Sequence, residues 1–414
     1  MILLSHPTGN ANVRALLTGL EQTNQLSLFK TTVVMQEVDW YVNLLPQAVK
    51  QEFLRRNYSL PRSKVSTHPL KELVRLAASK LGINFLTVHE TGWASVDSVC
   101  KDLDRRVAKQ LTKTSQAQAI SAVYCYEDIA LHTFSAAKQL NLKCFYDLPI
   151  GYWRMGQTIQ REESELNPEW ASTLTGNFDS QEKLARKDKE LQLADVIFVA
   201  SSFTQKTLQL APKLYAPVKM ITYGAPPVTG LRCQEESQKK LRVLFVGSLG
   251  QRKGISYLLD AIDQLGKQVE LTLIGRPTNL CSPLEQALKT HRWIASLPHQ
   301  QVLEEMSRHD VLVFPSLFEG FGLVILEAMS QGLPVITTPH TAGPDIISDG
   351  EDGFIVPIRS SEAIAQKLEL LVSDRNLLLE MSRAAQLKAV QFSWESYGRN
   401  VSNIIKTYTE QPQG

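Results

Sequence analysis

The sequence predicts an α/β fold made of two doubly wound parallel sheets that face a central cleft. Three observations lead to this fold class. Short apolar runs without polar alternation recur along the 414 residues and end at turn residues, as buried parallel strands do. Helical patterns separate these runs in each half of the chain. The stretch Pro226–Lys240 contains Pro and Gly, then turns polar without an apolar period, which indicates a division between two domains.

The elements follow in chain order from these two patterns. The strands predicted in the first half are Met1–Ser5, Asn84–Val88, Ala119–Tyr124, Lys143–Tyr146 and Val196–Ala200. The helices predicted there are Lys71–Leu81, Ser98–Leu111, Ala130–Leu140 and Gln181–Leu193. The strands predicted in the second half are Arg242–Val246, Glu270–Ile274, Asp310–Phe314, Pro334–Thr337 and Gly353–Val356. The helices predicted there are Ile255–Leu265, Leu284–Thr290, Gly322–Gln331, Ser361–Ser373 and Arg375–Gln391.

Composition and charge exclude several classes of protein. Hydrophobic residues are 43% of the chain and charged residues 21%, which excludes a disordered or collagen-like protein. The formal net charge is only +2, so no global charge indicates a nucleic-acid partner. The five cysteines form no CxxC pair, which argues against a zinc or disulfide framework and favours the reducing cytoplasm. No apolar stretch approaches the roughly 20 residues that span a bilayer.

The segment Phe314–Met329 carries the strongest chemical pattern. A predicted strand ends at Pro315, a loop contains Glu319-Gly-Phe-Gly322, and a helix with Glu327 follows. Glycines let the backbone approach a ligand closely, and a helix N-terminus attracts an anion such as a diphosphate. Carboxylates accept two hydrogen bonds, which suits the hydroxyls of a sugar or a ribose. From this segment alone, a capped helix with a solvated glutamate remains an alternative.

This segment closely resembles the E-x7-E signature of retaining glycosyltransferases of family 4, also called glycosyl transferases group 1, which have the GT-B fold. Further segments that resemble the family are Ala194–Thr204, Ile221–Pro226, Val246–Gly254, Thr338–Pro344 and Asp349–Phe354. The resemblance implies two Rossmann-like domains, with residues 1–225 binding the acceptor and residues 235–390 binding a nucleotide-sugar donor. Residues 391–414 then form a helix that crosses back to the N-terminal domain.

A second group of residues suits a diphosphate. Arg252-Lys253-Gly254 follows a predicted strand and precedes a helix, and two cations at a helix N-terminus make a diphosphate site. The resemblance assigns Lys253 and Arg252 to the donor phosphates, with Glu319 on the sugar and Glu327 on the ribose. It places the loop with Gly9 and Asn10 across the cleft. The complete set of implied donor-binding residues is Gly9, Asn10, Gly247, Arg252, Lys253, Gly275, Glu319, Gly320, Phe321, Gly322, Leu323 and Glu327.

The chain departs from the family at the end of one N-terminal strand, where the family often has a His close to the anomeric carbon. Tyr146 stands there, followed by Asp147, so we expect one of them to meet the acceptor or the sugar, with Asp147 as a candidate catalytic residue. His89, which follows a predicted strand, is a further candidate for the acceptor side, and His132 is a weaker one.

Neither the acidic pair nor the basic segment assigns a ligand by itself. Asp102 and Asp104 lie in a predicted helix with opposite charges at helical spacing, so no metal site is expected. Residues 50–80 hold eight basic and two acidic side chains. This segment is either a solvated face or a contact with an anionic membrane, which would place the cytoplasmic protein on the inner face of that membrane.

Together with the resemblance, these patterns predict a metal-independent retaining glycosyltransferase of the EC 2.4 class, active in polysaccharide biosynthesis. It moves a sugar from a nucleotide-diphosphate sugar to a glycan, a lipid or another acceptor, with no cofactor. A nucleotide-sugar epimerase and a non-catalytic GT-B partner subunit remain as alternatives. A dinucleotide-dependent dehydrogenase is disfavoured, because no GxGxxG motif follows a strand.

Overall fold

The N-terminal half folds around one parallel sheet. A computed structural model describes residues 1–34, 56–176, 178–228 and 240–410. The sheet order is β3-β2-β1-β4-β5-β6-β7, and every neighbouring pair is parallel. The strands are β1 Ile2–Ser5, β2 Leu26–Thr31, β3 Val65–Thr67, β4 Ala122–Tyr126, β5 Lys143–Leu148, β6 Val196–Val199 and β7 Val218–Met220.

Helices connect these strands. They are α1 Ala11–Gln22, α2 Leu70–Leu81, α3 Val96–Gln118, α4 Leu131–Gln139, α5 Trp153–Leu166, α6 Gln181–Leu193 and α7 Ser202–Thr207. Serine side chains cap the starts of three of them: Ser95 for α3, Ser180 for α6 and Ser201 for α7 each accept a hydrogen bond from a first-turn amide. A 3₁₀ turn over Pro168–Thr173 follows α5.

The C-terminal half repeats the arrangement. Its parallel sheet has the order β10-β9-β8-β11-β12-β13, which is the doubly wound order with a switch point between β8 and β11. The strands are β8 Leu241–Val246, β9 Val269–Ile274, β10 Arg292–Ile294, β11 Val311–Phe314, β12 Val335–Thr337 and β13 Gly353–Ile355. The helices are α8 Ile255–Leu265, α9 Ser282–Thr290, α10 His299–Ser307, α11 Leu323–Ser330, α12 Gly343–Ile346, α13 Ser361–Ser373, α14 Arg375–Val390 and α15 Trp394–Glu410.

Strand alternation divides the N-terminal core into two layers. Leu4 and Phe145 point to one face of the sheet, where they join a cluster that continues into the C-terminal half. Leu3 is adjacent to Leu4, and Tyr146 is adjacent to Phe145. Both therefore point to the opposite face of the sheet, where they join a second buried cluster. The two sheets, each buried on both faces, confirm the predicted α/β architecture.

Helix α15 returns to the N-terminal half and packs against α1. Just before this helix, the Phe392 carbonyl accepts a hydrogen bond from the Ala225 amide at 3.0 Å. Of the predicted terminal segment, residues 411–414 lie outside the described residues. Residues 229–239, which hold most of the predicted division between the domains, also lie outside them.

One predicted strand is wrong. Asn84–Val88 is a single 3₁₀ turn over Asn84–Leu86 followed by a further turn. Its side chains are partly or largely exposed, so this apolar run lacks the burial that a central strand requires.

Candidate functional site

A cleft of about 990 Å³ lies between the two halves, at the carboxyl ends of both sheets. This is where doubly wound sheets bind their ligands. The N-terminal wall consists of Thr8, Gly9, Asn10, Ala11, Asn12, Arg14, Arg56, Asn57, Pro149 and Tyr223. The C-terminal wall consists of Val246, Gly247, Lys253, Leu297, His299, Val302, Phe314, Glu319, Phe321, Gly322, Leu323, Val324 and Glu327.

An ion pair between Lys253 and Glu319 lies in the C-terminal wall. The Lys253 ammonium donates to Glu319 Oε2 and lies 4.8 Å from the centre of the Phe314 ring. Arg252 Nη1 lies 3.5 Å from the same carboxylate oxygen and donates to the Phe318 carbonyl at 2.6 Å. Two cations and one carboxylate therefore share a small, largely buried volume at the mouth of β8 and β11.

Burial and charge act in opposite directions on this pair. Burial lowers the pKa of Lys253 to about 8, although Glu319 acts to raise it. The pKa of Glu319 is lowered, because Lys253 and Arg252 outweigh the effect of burial on the carboxylate. Glu319 is thus held ionised as a hydrogen-bond acceptor. A bound anion would restore the full charge of Lys253.

Two helices begin beside this pair, and a glycine precedes each. Gly254 has φ +69° at the start of α8, and Gly322 has φ +84° at the start of α11. Positive φ favours glycine, which lets the chain turn sharply into each helix. The N-terminus of each helix, which carries a partial positive charge, therefore lies beside the part of the cleft that holds Lys253 and Glu319.

Glu327 lies further along α11 and is held by a histidine that the sequence did not single out. His299 Nε2 lies 2.9 Å from Glu327 Oε1, and both residues line the cleft. The hydrogen bond with Glu327 raises the pKa of His299. His299 begins α10, a helix that the apolar pattern did not predict, so no sequence signal marked it.

The opposite wall holds Gly9 and Asn10 at the start of α1, where the sequence placed them. Arg14 Nη1 donates to the Gly9 carbonyl at 2.7 Å. The Tyr223 ring lies 5.0 Å from the Phe321 ring and thereby joins the two walls. Tyr223 falls within a segment that resembles the family, yet only the structure shows that it lines the cleft.

Three of the implied donor residues do not line the cleft. Arg252 turns its guanidinium toward Phe318, and Gly275 packs against the Gly247 backbone. The Gly320 carbonyl accepts hydrogen bonds from Ser201 and Thr204, so it joins the two halves. Gly247, Phe321, Gly322 and Leu323 line the cleft as expected.

The expected position of Tyr146 in the cleft is corrected by the structure. Tyr146 points to the far face of the sheet, and its hydroxyl donates to Glu190 at 3.3 Å. Asp147 points to the opposite face of the sheet, the face of Phe145. It is only 3% exposed there and accepts a hydrogen bond from the Tyr124 hydroxyl at 2.7 Å. Burial raises the pKa of Asp147 to about 7. Asp147 lies beneath the cleft wall, so the structure gives it no contact with a substrate in the cleft.

The histidines proposed for the acceptor side also lie elsewhere. His89 Nε2 lies 3.0 Å from Asp179 Oδ1 at the surface, with Glu90 beside it. These three form a group with metal-ligand atoms within 4.8 Å of one another, but Lys183 already donates to Asp179 at 2.8 Å. His132 pairs with Asp104, which accepts hydrogen bonds from the first amides of α4.

Part of the chain matches a known family. Residues 232–388 match the profile of the family described as glycosyl transferases group 1. A sucrose synthase from Acidithiobacillus caldus is 36% identical over 237 residues, which is 50% of this chain and 30% of that protein. A D-inositol 3-phosphate glycosyltransferase from Corynebacterium aurimucosum is 28% identical over 258 residues, or 55% of this chain and 61% of that protein. The chain thus spans less than two thirds of either relative.

A solved structure extends the fold comparison to the whole chain. The Anabaena protein HepE in complex with UDP-glucose aligns with a TM-score of 0.63 and 15% identity, covering 98% of this chain and 99% of HepE. Both sheets and the cleft between them therefore follow the GT-B arrangement.

Proposed function

We propose that this chain, which has the GT-B fold, is a glycosyltransferase of group 1 and that it transfers a sugar from a nucleoside-diphosphate sugar to an acceptor. The observation that carries the proposal is the Lys253–Glu319 ion pair in the cleft, with Arg252 and two helix starts beside it. This arrangement offers cations to a diphosphate and a carboxylate to sugar hydroxyls.

In this proposal the donor lies along the C-terminal wall. Lys253 and the helix starts bind the diphosphate, and Arg252 adds positive charge from behind the loop. Negative charge develops on the diphosphate as the sugar leaves, and fixed cations in a buried site stabilise that charge. Because these residues supply the positive charge, we propose that no divalent metal is needed.

Glu319 and Glu327 act as hydrogen-bond acceptors rather than as nucleophiles. Lys253 and the Gly320 backbone each hydrogen-bond to the Glu319 carboxylate, and we propose that its remaining acceptor capacity binds a sugar hydroxyl. Glu327, which is held by His299, is proposed to accept a hydrogen bond from the ribose. The HepE complex with UDP-glucose supports a donor of this class. Retention at the anomeric carbon and membership of family 4 are part of the proposal.

We propose that the acceptor is a glycan or a lipid-linked sugar bound to the N-terminal wall, as in polysaccharide biosynthesis, and that it is not a nucleic acid. The wall presents amides and hydroxyls from Thr8, Asn10, Asn12 and Asn57, which suit sugar hydroxyls. Arg56 contributes a guanidinium that is held by Glu72 at 2.7 Å.

A surface next to this wall supports contact with an anionic membrane. On α2, the side chains of Leu70, Leu73, Ala77 and Leu81 lie on one face, and all four are exposed. We call this face the α2 stripe. Phe85, Val88, Trp93 and Val96 are also exposed, which is unusual for so many large apolar residues in one segment.

Cations accompany the α2 stripe, with Lys71 lying 5.3 Å from the centre of the Trp93 ring and Lys80 exposed. Apolar and cationic side chains together favour an anionic lipid surface. The expected basic contact through residues 50–80 changes accordingly, because Arg56 is buried and residues 50–55 lie outside the described residues. Among the described helices, none has the length and apolarity needed to cross a bilayer.

Co-sedimentation with vesicles tests the membrane contact. The triple variant Leu70→Ser, Leu73→Ser, Leu81→Ser should lose binding to vesicles that contain phosphatidylglycerol. Leu387→Ser, which changes an exposed leucine of the C-terminal half, is the matched control. Equal sedimentation of both variants and the wild type would refute the contact.

A product assay tests the transferase activity. The protein is incubated with UDP-, GDP- and ADP-sugars, with and without glycan and lipid-linked acceptors, in the presence of EDTA. Acceptor-dependent release of the nucleoside diphosphate, with retained anomeric configuration by NMR, is the expected result. Conversion of the sugar without an acceptor would indicate an epimerase. Nucleotide binding without any product would indicate a non-catalytic partner subunit.

A further inference from the structure

A buried carboxylate of the N-terminal half, Glu163 on α5, contacts the C-terminal half. Glu163 is fully buried, and its Oε1 accepts hydrogen bonds from Gln251 Nε2 at 2.7 Å and from the Tyr257 hydroxyl at 2.9 Å. Its Oε2 accepts from Arg359 Nε at 2.8 Å. A buried carboxylate requires such partners, because its desolvation is costly. Donors from three separate segments of the other half therefore converge on one side chain.

Gln251 connects this carboxylate to the cleft. It comes immediately before Arg252 and Lys253 in the loop between β8 and α8. Its side chain is fixed at both ends, because Nε2 also donates to Ser256 Oγ and Oε1 accepts from the Ser256 amide at 3.2 Å.

A second contact from the N-terminal half holds the same loop. The backbone amide of Gln251 donates to Thr173 Oγ1 at 2.9 Å, and Thr173 lies in the 3₁₀ turn that follows α5. On the other side, the Leu317 amide donates to the Arg252 carbonyl at 2.9 Å. The loop that carries Lys253 is thus fixed by the N-terminal half on one side and by the Glu319 segment on the other.

We propose that Glu163 is a positioning residue for the loop of Lys253, acting through Gln251. The N-terminal half then sets the geometry of the cations that bind the donor phosphates, although Glu163 itself does not line the cleft. This inference rests on the proposed function. It also implies that the two halves cannot separate at α5 without releasing the loop, which couples donor binding to the contact between the halves.

The neighbouring glutamate provides a matched control. Glu162 also accepts from Arg359, at 3.1 Å, but it is 52% exposed in its side chain and is not among the partners of Gln251. Replacement of Glu162 by Gln therefore weakens one ion pair of Arg359 and leaves the contact with the loop intact.

Calorimetric titration at a temperature where each variant is folded tests the proposal. The affinities for UDP and UMP, or for the corresponding pair of the base that the wild type prefers, are measured for the wild type, Glu163→Gln and Glu162→Gln. A displaced loop weakens contact with the second phosphate, so the diphosphate-to-monophosphate affinity ratio should fall about fivefold or more in Glu163→Gln. The ratio should not change in Glu162→Gln.

A purely structural role would lower the melting temperature of Glu163→Gln without changing this ratio, and that result would overturn the inference. If Glu163→Gln does not fold, Gln251→Met provides the measurement, because it breaks the same contact and leaves Arg359 on Glu163. An unchanged ratio in Gln251→Met would also overturn the inference. A wild type that binds no nucleotide would refute the proposed function itself, and this inference with it.

Discussion

His299 Nε2 lies 2.9 Å from Glu327 Oε1 and joins α10 to α11 in the wall of the cleft. The sequence predicted Glu327 as a donor-binding residue, but it gave no indication of His299. When His299 is protonated, its positive charge offsets the Glu327 carboxylate, so the charge in this part of the cleft depends on pH.

The first prediction concerns this charge. The hydrogen bond with Glu327 raises the pKa of His299, so its imidazolium is present in acid and is lost as the pH rises through the raised value. His299→Gln should therefore weaken nucleoside-diphosphate binding at pH 6, by about two- to fivefold, and have a smaller effect at pH 8.5. Titrations at both pH values check this. An equal loss at both would show that His299 acts by shape and not by charge.

The second prediction concerns Lys253. Its pKa is lowered to about 8, and a bound diphosphate favours the charged ammonium, so the lysine must take up a proton on binding at higher pH. Nucleotide affinity should fall as the pH rises above 8. Lys253→Arg keeps its charge throughout this range and should flatten the profile. The pH dependence of the dissociation constant checks this, and an identical slope in both proteins would contradict it.

The third prediction concerns the buried Asp147. Burial raises its pKa from 3.8 to about 7. The stability that a protonated Asp147 provides is complete below pH 3.8 and is lost as the pH rises to about 7. Asp147→Asn should therefore be more stable than the wild type at pH 8, by up to about 4 kcal/mol, and the difference should shrink by more than half at pH 5. Urea denaturation at both pH values checks this. A difference that does not vary with pH would show that Asp147 is ionised in the folded protein throughout.

The fourth prediction concerns the turn into α8. Gly254 has φ +69°, and an added Cβ would lie 2.1 Å from the Pro315 carbonyl oxygen. Gly254→Ala should destabilise the protein by about 3 kcal/mol, because backbone strain and steric overlap add. Gly350 has φ +84° with open space around it, so Gly350→Ala should cost only about 1 kcal/mol. Equal losses in urea denaturation would show that the Pro315 backbone moves freely.

The sequence predicted those features that are local in the chain. The loop with Lys253 and the loop with Glu319 each follow a buried strand and precede a helix, and such units place their residues at the same sheet edge. Strands β2, β3, β7 and β10 were not predicted, because Lys30, Ser66, Lys219 and Arg292 interrupt their apolar patterns. Their places depend on pairing with distant strands.

The parts of the site that depend on distant contacts could not be predicted. Tyr146 and Asp147 are adjacent on β5, and the sequence could not show that both are buried or that the Tyr124 hydroxyl donates to Asp147. Likewise, Glu163 and Gln251 are 88 residues apart, and no local pattern joins them.

The most direct test of the central claim is calorimetric titration of UDP, GDP and ADP into the wild-type protein and Lys253→Ala at pH 7.5. The proposed site predicts that at least one nucleotide binds the wild type with a dissociation constant below about 1 mM, which corresponds to a binding free energy of roughly 4 kcal/mol or more. Lys253→Ala should lose at least about tenfold of that affinity. No binding by the wild type, or equal binding by both proteins, would contradict a diphosphate site at Lys253 and Glu319.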